Sequence, residues 1–186
     1  MTKPLVLASG SPRRKELLEQ LGYQFSIVRP DVEEQMQPHE TPSVYVARLS
    51  QDKAMAGVKL APQSIVVGSD TIVVCDDRVL EKPQDLAHSK QMLSQLSGRA
   101  HQVMTAVTVA TEEQQKTVVV TTDVWFKPLS ELEIEQYWQT GEPCDKAGSY
   151  GIQGIGGRFV TRIEGSYYAV VGLPLFETDQ LLRQFL

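Results

Sequence analysis

The sequence predicts an α/β protein, because segments with the composition of β-strands are interleaved with segments whose apolar residues recur at helical spacing. Its 186 residues, at about 150 residues per domain, predict one folded unit over residues 1–186, with two lobes that share a core. At 20.7 kDa, about 70% of the surface of the chain can be buried on folding, so this core needs neither a metal nor a disulfide. Hydrophobic residues at 41% and charged residues at 22% are typical of globular proteins and exclude the disordered, collagen-like and fibrous classes.

The first predicted elements are a strand and a helix joined by a tight loop. Residues 5–8 form a short apolar run typical of a strand, and the leucines of residues 12–21 follow at helical spacing. Ser11 suits the N-cap of this helix, and the proline after it suits the first helical position, where a missing N–H costs nothing. Arg13 and Arg14 therefore lie in the first turn, where the positive end of the helix dipole disfavours cations.

The remaining elements are predicted from the same signals. Helices are expected over residues 42–57, 86–96, 130–141 and 174–185, the third of them opened by a capping box of Ser130 and Glu133. Strands are expected over residues 24–28, 64–68, 71–75, 79–80, 102–111, 116–125, 159–164 and 167–171. We expect the two long strands to pair antiparallel and the last two strands to form a hairpin.

Charge and cysteine content exclude several classes of protein. Lys and Arg number 18 against 23 Asp and Glu, which leaves a net charge of −5 and a pI near 5.2, whereas nucleic-acid-binding domains usually exceed about pI 9. Polymeric DNA or RNA is therefore not an expected partner. Cys75 and Cys144 lack the spacing of a zinc site or a disulfide framework.

No apolar run is long enough for a signal peptide or a membrane span, so we expect a cytoplasmic protein without a membrane partner.

The loop and helix start from Ser9 to Arg14 are the first candidate site. Small residues, free N–H groups at a helix start and two guanidinium groups converge there after a strand, which suits the binding of a polyphosphate. The segment lacks the Lys-Ser/Thr ending of a P-loop and the glycine spacing of a dinucleotide-binding loop. The alternative is a helix start whose arginines meet only solvent or a surface carboxylate.

Asp70 is the second candidate, because it interrupts apolar strand sequence, where an ionised carboxylate is costly unless it meets cations or a metal. It could bind magnesium or act as a general base. The alternative is an aspartate at a strand end that accepts hydrogen bonds from backbone N–H groups in a turn. Glu33 and Glu34 lie in a polar loop, and one of them could complete a metal site with Asp70, although solvated loop residues are the simpler interpretation.

Other polar residues carry weaker signals. Lys53, Lys82 and Lys146 each stand in an apolar or glycine-containing context, but each taken alone is more typical of a surface lysine. The histidines, at positions 39, 88 and 101, show neither metal-ligand spacing nor the arrangement of a catalytic triad. A glycine-rich segment over residues 148–157 contains five glycines in ten residues, which suits close approach of the backbone to a ligand.

Short motifs distributed along nearly the whole chain form a collinear set. They are Leu7-Ala8-Ser9-Gly10-Ser11-Pro12-Arg13-Arg14, Lys53-Ala54, Gly68-Ser69-Asp70-Thr71, Lys82-Pro83, Ser97-Gly98 with His101-Gln102-Val103 and Thr105, and Asp145-Lys146-Ala147-Gly148. Together they resemble the Maf family of nucleoside triphosphate pyrophosphatases. The segments Tyr150-Gly151-Ile152-Gln153-Gly154, Gly165-Ser166-Tyr167 and Val170-Val171-Gly172-Leu173-Pro174 are similar to the dTTP/UTP pyrophosphatase subfamily.

The resemblance implies hydrolysis of a nucleoside triphosphate to the monophosphate and pyrophosphate, by attack of water at the α-phosphorus with a divalent cation (Mg, Mn or Co). It implies that Asp70 is the proton acceptor and, with Glu33, a metal ligand. The substrate-binding residues that it implies are Ser9, Arg13, Arg14, Lys53, Thr71, Lys82 and Gln153, of which Arg13, Thr71 and Gln153 match the positions that select the base.

The resemblance further implies an elongated, twisted mixed β-sheet flanked by helices, with two lobes, a central cleft and assembly as a homodimer. The predicted order of strands and helices agrees with such an α/β fold. Two alternatives remain open at this point. One is a non-catalytic nucleotide-binding regulator of septum formation, and the other is the sibling 7-methyl-GTP pyrophosphatase activity.

Overall fold

A computed structural model describes residues 2–186 and contains one mixed sheet within that range. Its strands are β1 (Leu5–Ala8), β2 (Ser26–Val28), β3 (Ile65–Cys75), β4 (Arg78–Leu80), β5 (Ala100–Ala110), β6 (Gln115–Phe126) and β7 (Val160–Glu164). The helices are α1 (Pro12–Gln20), α2 (Pro42–Leu60), α3 (Leu86–Leu96), α4 (Glu131–Gln139), α5 (Tyr167–Val171) and α6 (Leu175–Leu182). Three short 3-10 helices span Glu142–Asp145, Ala147–Ser149 and Ile155–Phe159.

The sheet has the order β2-β1-β3-β5-β6-β7, with β4 attached to the end of β3. Strand β1 runs parallel to β2 and β3, and helices α1 and α2 make the crossover connections that parallel strands require. From β3 onward the sheet is antiparallel, and the predicted pairing of the two long strands is confirmed from Ala100↔Trp125 to Ala110↔Gln115. The mixed sheet flanked by helices that the family resemblance implied is therefore the observed fold. None of the helices in residues 2–186 combines the length and apolarity needed to cross a membrane.

A gap along one edge of β3 opens the sheet. Residues 65–67 of β3 pair with β1, and residues 73–75 pair with β4. Strand β5 occupies the opposite edge along residues 66–74, so β1 and β4 must share the other edge. Residues 68–72, with Asp70 at their centre, therefore have no strand neighbour on that edge, and a cleft can form there.

The alternation of side chains along β3 sends neighbouring residues to opposite faces of the sheet. On one face, Ile65 and Val67 join one buried apolar cluster, while Val73 and Cys75 join a second cluster further along the strand. On the other face, helix α2 lies so close that a Cβ at Gly68 would stand 2.6 Å from backbone atoms of the helix. A larger residue at Gly68 would push the helix away from the strand.

Two sequence-based boundaries were wrong. Residues 68–70 do not interrupt a strand, because β3 runs continuously from Ile65 to Cys75 and the charge of Asp70 is matched by cations from other elements. Residues 167–171 form helix α5 and not the second strand of a hairpin. Ser166 caps this helix by accepting a hydrogen bond from the N–H of Ala169, and Gly172 ends it at a φ of 141°. Local apolar and aromatic composition favoured a strand, but a single helical turn buries Ala169 and Val171.

Candidate active site

A cleft of about 1130 Å³ opens beside the central residues of β3. Its walls come from the loop before α1, the loop before α2, helix α2, the segment after β4 and the glycine-rich segment. The predicted site residues that line it are Ser9, Arg13, Arg14, Lys53, Asp70, Thr71, Lys82 and Gln153. These predicted residues come from five separate parts of the chain and meet in one cavity.

The start of helix α1 forms one wall of the cleft. The predicted N-cap is confirmed, because the Ser11 side chain accepts a hydrogen bond from the N–H of Arg14 at 3.3 Å and Pro12 occupies the first turn. The N–H of Ser11 in turn donates to Oγ of Ser9 at 3.1 Å. Arg13 is partly buried in this wall. The N–H groups of Ser11 and Arg14 are thus satisfied by serine hydroxyls, and the wall contributes the side chain of Arg13 to the lining of the cavity.

Arg14 is held by two hydrogen bonds that leave the rest of its donors free. Its Nε donates to the carbonyl of Gly172 at 2.8 Å, and its Nη2 donates to Oγ1 of Thr71 at 3.1 Å. Burial lowers the pKa of Arg14, and the nearby charge of Asp70 opposes that shift. An arginine nevertheless stays protonated, and its guanidinium has five N–H donors, so those not used here can contact a phosphate.

A chain of hydroxyl groups orients Thr71. Thr105 is fully buried and donates from Oγ1 to the carbonyl of Ala169 at 2.6 Å. Since that bond uses the only hydroxyl proton of Thr105, the 2.9 Å contact between Thr105 and Thr71 must be donated by Thr71. Thr71 can then only accept from Arg14 and from any further partner in the cleft. The chain therefore makes Thr71 an acceptor toward the cavity.

Lys53 bridges two carboxylates at the centre of the cleft. Its Nζ lies 2.6 Å from Oδ1 of Asp70 and 2.6 Å from Oε1 of Glu34. Burial raises the pKa of Asp70, and the charges of Lys53 and Arg14 oppose the shift without cancelling it. Partial burial also acts to raise the pKa of Glu34, but the hydrogen bond and charge of Lys53 outweigh it and the net shift is downward. Asp70 is thus the more readily protonated of the two carboxylates.

The structure does not bring Glu33 to Asp70. Glu33 lines a separate surface groove on the far side of the loop, together with Arg48 and Asp52. Its neighbour Glu34 faces the cleft instead. Within residues 2–186, no group of three or more His, Cys, Asp or Glu side chains is preassembled to hold a metal ion.

Sequence reasoning missed several acidic residues that line the cleft, among them Glu81 and Glu142. Partial burial and the nearby charge of Asp70 raise the pKa of Glu81, so this carboxylate also faces the central charge cluster. Glu81 directly precedes Lys82, which the sequence had singled out, and this adjacency was the one signal available. Glu142 also lines the cleft, and its sequence context offers no comparable signal.

Gln153 stands on the wall formed by the glycine-rich segment. Its side chain is exposed, and Gly151 and Gly154 on either side of it also line the cleft. Lys146 lies beneath this loop, where its Nζ pairs with Asp145 at 2.7 Å. The loop and the start of α1 thus line the same cavity.

Comparisons with known proteins agree with one another over nearly the whole chain. The family model described as "Maf-like protein" matches residues 4–185. A dTTP/UTP pyrophosphatase of Vibrio parahaemolyticus is 74% identical over 183 residues, which cover 98% of this chain and 97% of that protein. A dTTP/UTP pyrophosphatase of Yersinia pestis is 58% identical over 183 residues, covering 98% of this chain and 93% of that protein.

A solved structure, that of the Staphylococcus aureus Ham1 protein, overlaps 67% of this chain and 72% of its own, with a TM-score of 0.49 and 14% identity. That likeness is too distant to inform the site. The family match and the relatives span nearly every residue of the cleft, and by them the chain belongs to the Maf-like protein family.

Proposed function

We propose that this protein hydrolyses dTTP and UTP to the nucleoside monophosphate and pyrophosphate. The observation that carries the proposal is the position of the Asp70 carboxylate, which is buried and paired with Lys53 in a cleft that Arg13, Arg14 and Lys82 also line. The names of the relatives, which match over 98% of this chain, support the same substrates.

In this mechanism the cations hold the triphosphate and Asp70 acts on water. Phosphoryl transfer depends mainly on positioning and charge neutralisation, which the guanidinium groups and the ammonium of Lys82 supply. The oxygen of a water molecule bonds to the α-phosphorus while Asp70 accepts its proton, and the bond from the α-phosphorus to the bridging oxygen breaks so that pyrophosphate leaves. A carboxylate whose pKa is raised toward neutral pH is the better proton acceptor.

Asp70 and Glu34 are the residues that would hold a divalent cation. Both carboxylates lie 2.6 Å from the same ammonium nitrogen, so their oxygens already converge on a single positive charge. Carboxylate oxygens are the ligands that Mg and Mn prefer. When bound, such a cation neutralises charge on the triphosphate. Glu34 thus takes the place that the sequence had assigned to Glu33.

Base selection is assigned to Gln153 on the glycine-rich segment, to Thr71 on β3 and to Arg13 at the start of α1. Gln153 can offer both a donor and an acceptor to the edge of uracil or thymine, while Thr71, as an acceptor, suits the N3–H of the same bases. Cytosine reverses both partners with its 4-amino group and unprotonated N3, so CTP should be a poor substrate. Arg13 lies near both the phosphate wall and Asp145, which suits its assignment to the same selection.

The test is a screen for pyrophosphate release with dTTP, UTP, CTP and 7-methyl-GTP in the presence of Mg. We expect release from dTTP and UTP, and loss of at least about 10²-fold in kcat for Asp70→Asn, since general-base assistance is typically worth 10²–10⁴-fold. Nucleotide binding without release would favour the septum regulator, and preference for 7-methyl-GTP would favour the sibling activity. An Asp70→Asn variant that keeps more than about a tenth of the wild-type kcat would refute the assigned role.

Assembly as a homodimer is part of the same proposal. It rests on the family resemblance, and sedimentation equilibrium of the purified protein tests it.

A further inference from the structure

The carboxamide that is proposed to select the base has no side-chain anchor of its own. Gln153 is exposed, and within residues 2–186 its side chain makes no hydrogen bond to the protein. It lies in an irregular turn between two 3-10 helices. Its position in the cleft therefore depends on what holds the backbone on either side of it.

Glu142 and Tyr137 hold that backbone on both sides. Before Gln153, the N–H of Gly151 donates to the hydroxyl of Tyr137 at 3.1 Å. After it, the carboxylate of Glu142 accepts from the N–H of Ile155 at 2.8 Å and from the N–H of Gly156 at 2.9 Å. The hydroxyl of Tyr137 in turn donates to the same carboxylate. The two anchored amides nearest to Gln153 are each two residues away from it.

The packing around this carboxylate is close. A Cβ at Gly154 would overlap the carboxylate of Glu142, so only glycine allows the loop to lie directly against it. Tyr137 is 2% exposed and packs edge-on against Phe159, which fixes the position of its ring. Glu142 and Tyr137, which together form a clamp on this loop, thus connect it to the buried cluster that contains Phe159.

The charge state of Glu142 matches its contacts. Partial burial acts to raise its pKa, but hydrogen bonds from Tyr137 and from the backbone N–H groups of Gly156 and Ile155 outweigh it, so the pKa is lowered. All three partners are donors, which an ionised carboxylate can satisfy because it only accepts. A carboxamide at this position would have to turn its NH₂ group toward a donor.

We propose that Glu142 and Tyr137 are positioning residues for base selection, which they control by setting where Gln153 presents its carboxamide. The inference rests on the proposed hydrolysis of dTTP and UTP. It assigns to these two residues an effect on the choice between uracil and cytosine. The binding of the triphosphate is assigned instead to cations such as Arg14 and Lys82.

The experiment measures kcat/KM for UTP and CTP in the wild type, Glu142→Gln, Tyr137→Phe and Gln153→Ala. We expect each positioning variant to lower the UTP-over-CTP ratio by about tenfold, roughly the value of one hydrogen bond, chiefly through KM for UTP. Combining Glu142→Gln with Gln153→Ala should lower the ratio no further than Gln153→Ala alone, because both changes act through one carboxamide. Glu131→Gln is the matched control, since Glu131 lies on α4 with its side chain exposed and paired with Lys90.

Amide hydrogen exchange of residues 151–157 gives a second measurement that does not depend on turnover. We expect faster exchange there in Tyr137→Phe and Glu142→Gln, with thermal midpoints close to that of Glu131→Gln. If one variant fails to fold, the other still reports on the clamp, because each removes a different part of it.

Two failures can be told apart. If the wild type does not hydrolyse UTP in preference to CTP, the proposed function is wrong. If the wild type shows that preference and both positioning variants keep it, or lower kcat/KM for UTP and CTP equally, then the proposed function stands and the assignment of Glu142 and Tyr137 is overturned.

Discussion

Replacing Lys53 with methionine tests the charge cluster at the centre of the cleft. Methionine keeps much of the length and apolar stem of lysine but removes the ammonium that contacts both Asp70 and Glu34. The Asp70 side chain is 9% exposed, so its carboxylate cannot recover the lost contact from bulk water. Arg14 remains as a nearby cation, and its charge limits the loss.

The expected loss of stability follows from the exposure of each partner. A hydrogen bond between charged groups contributes about 1.5–3 kcal/mol when it is shielded from solvent, which applies to Asp70. The Glu34 side chain is 45% exposed, so solvent screening reduces its share to about 0–1 kcal/mol. We therefore expect Lys53→Met to lower the free energy of unfolding by about 1.5–4 kcal/mol at pH 8.

The loss should depend on pH in a definite direction. Burial already raises the pKa of Asp70 above its ordinary value of 3.8, and removal of Lys53 raises it further. A carboxyl group whose pKa is higher in the folded state takes up a proton on folding. Its contribution to the free energy of unfolding is therefore complete below the ordinary pKa of the group and is lost as pH rises through the folded-state pKa. The loss of unfolding free energy in Lys53→Met, relative to the wild type, should thus be smaller at pH 5 than at pH 8.

Urea unfolding at pH 5 and pH 8 measures the loss of stability and its pH dependence. EDTA is added so that no divalent cation replaces the ammonium. Lys59→Met is the control, because Lys59 is exposed in the last turn of the same helix and should contribute only a few tenths of a kcal/mol through the helix dipole. In the double variant Asp70→Asn with Lys53→Met, the loss of unfolding free energy should be the same at pH 5 and at pH 8. A deficit below about 0.5 kcal/mol at both pH values would refute the buried ion pair.

Further predictions concern the contacts of Arg14 and one buried histidine. Arg14→Lys should lower kcat/KM for UTP by at least about tenfold, because an ammonium cannot donate to Thr71 and to phosphate with the geometry of the guanidinium fork. Wild-type kinetics in this variant would contradict the prediction. Thr105→Val should weaken UTP hydrolysis while preserving the fold, since Thr71 loses its acceptor and can turn its proton into the cleft, where an acceptor is needed; an unchanged KM would argue against the hydroxyl chain. His101, whose pKa burial lowers to about 4, should stay neutral in imidazole ¹⁵N spectra down to about pH 5, and wild-type stability should fall as pH drops from 6.5 toward 4; titration near 6.5 would contradict its burial.

Features that depend on residues within a few positions of one another could be predicted from the sequence. The N-cap at Ser11 and the capping box of Ser130 and Glu133 are both confirmed, because caps are local hydrogen bonds between a side chain and the next turn. The location of Arg13 and Arg14 at the start of α1 follows from the same local rule. The family motifs likewise pointed to the residues that line the cleft, because a motif is recognised from the order of its residues along the chain.

Tertiary structure alone determined which of two adjacent glutamates enters the cleft and how far β3 extends. Glu33 and Glu34 lie in an irregular loop, where no fixed period assigns a side chain to one face, so the path of the loop over α2 decides. Asp70 remains inside a continuous strand because Lys53, 17 residues earlier, supplies its counter-charge, and strand propensity contains no such information. The anchoring of the glycine-rich loop by Glu142 is equally non-local, because a carboxylate finds its backbone donors only after the chain has folded back on itself.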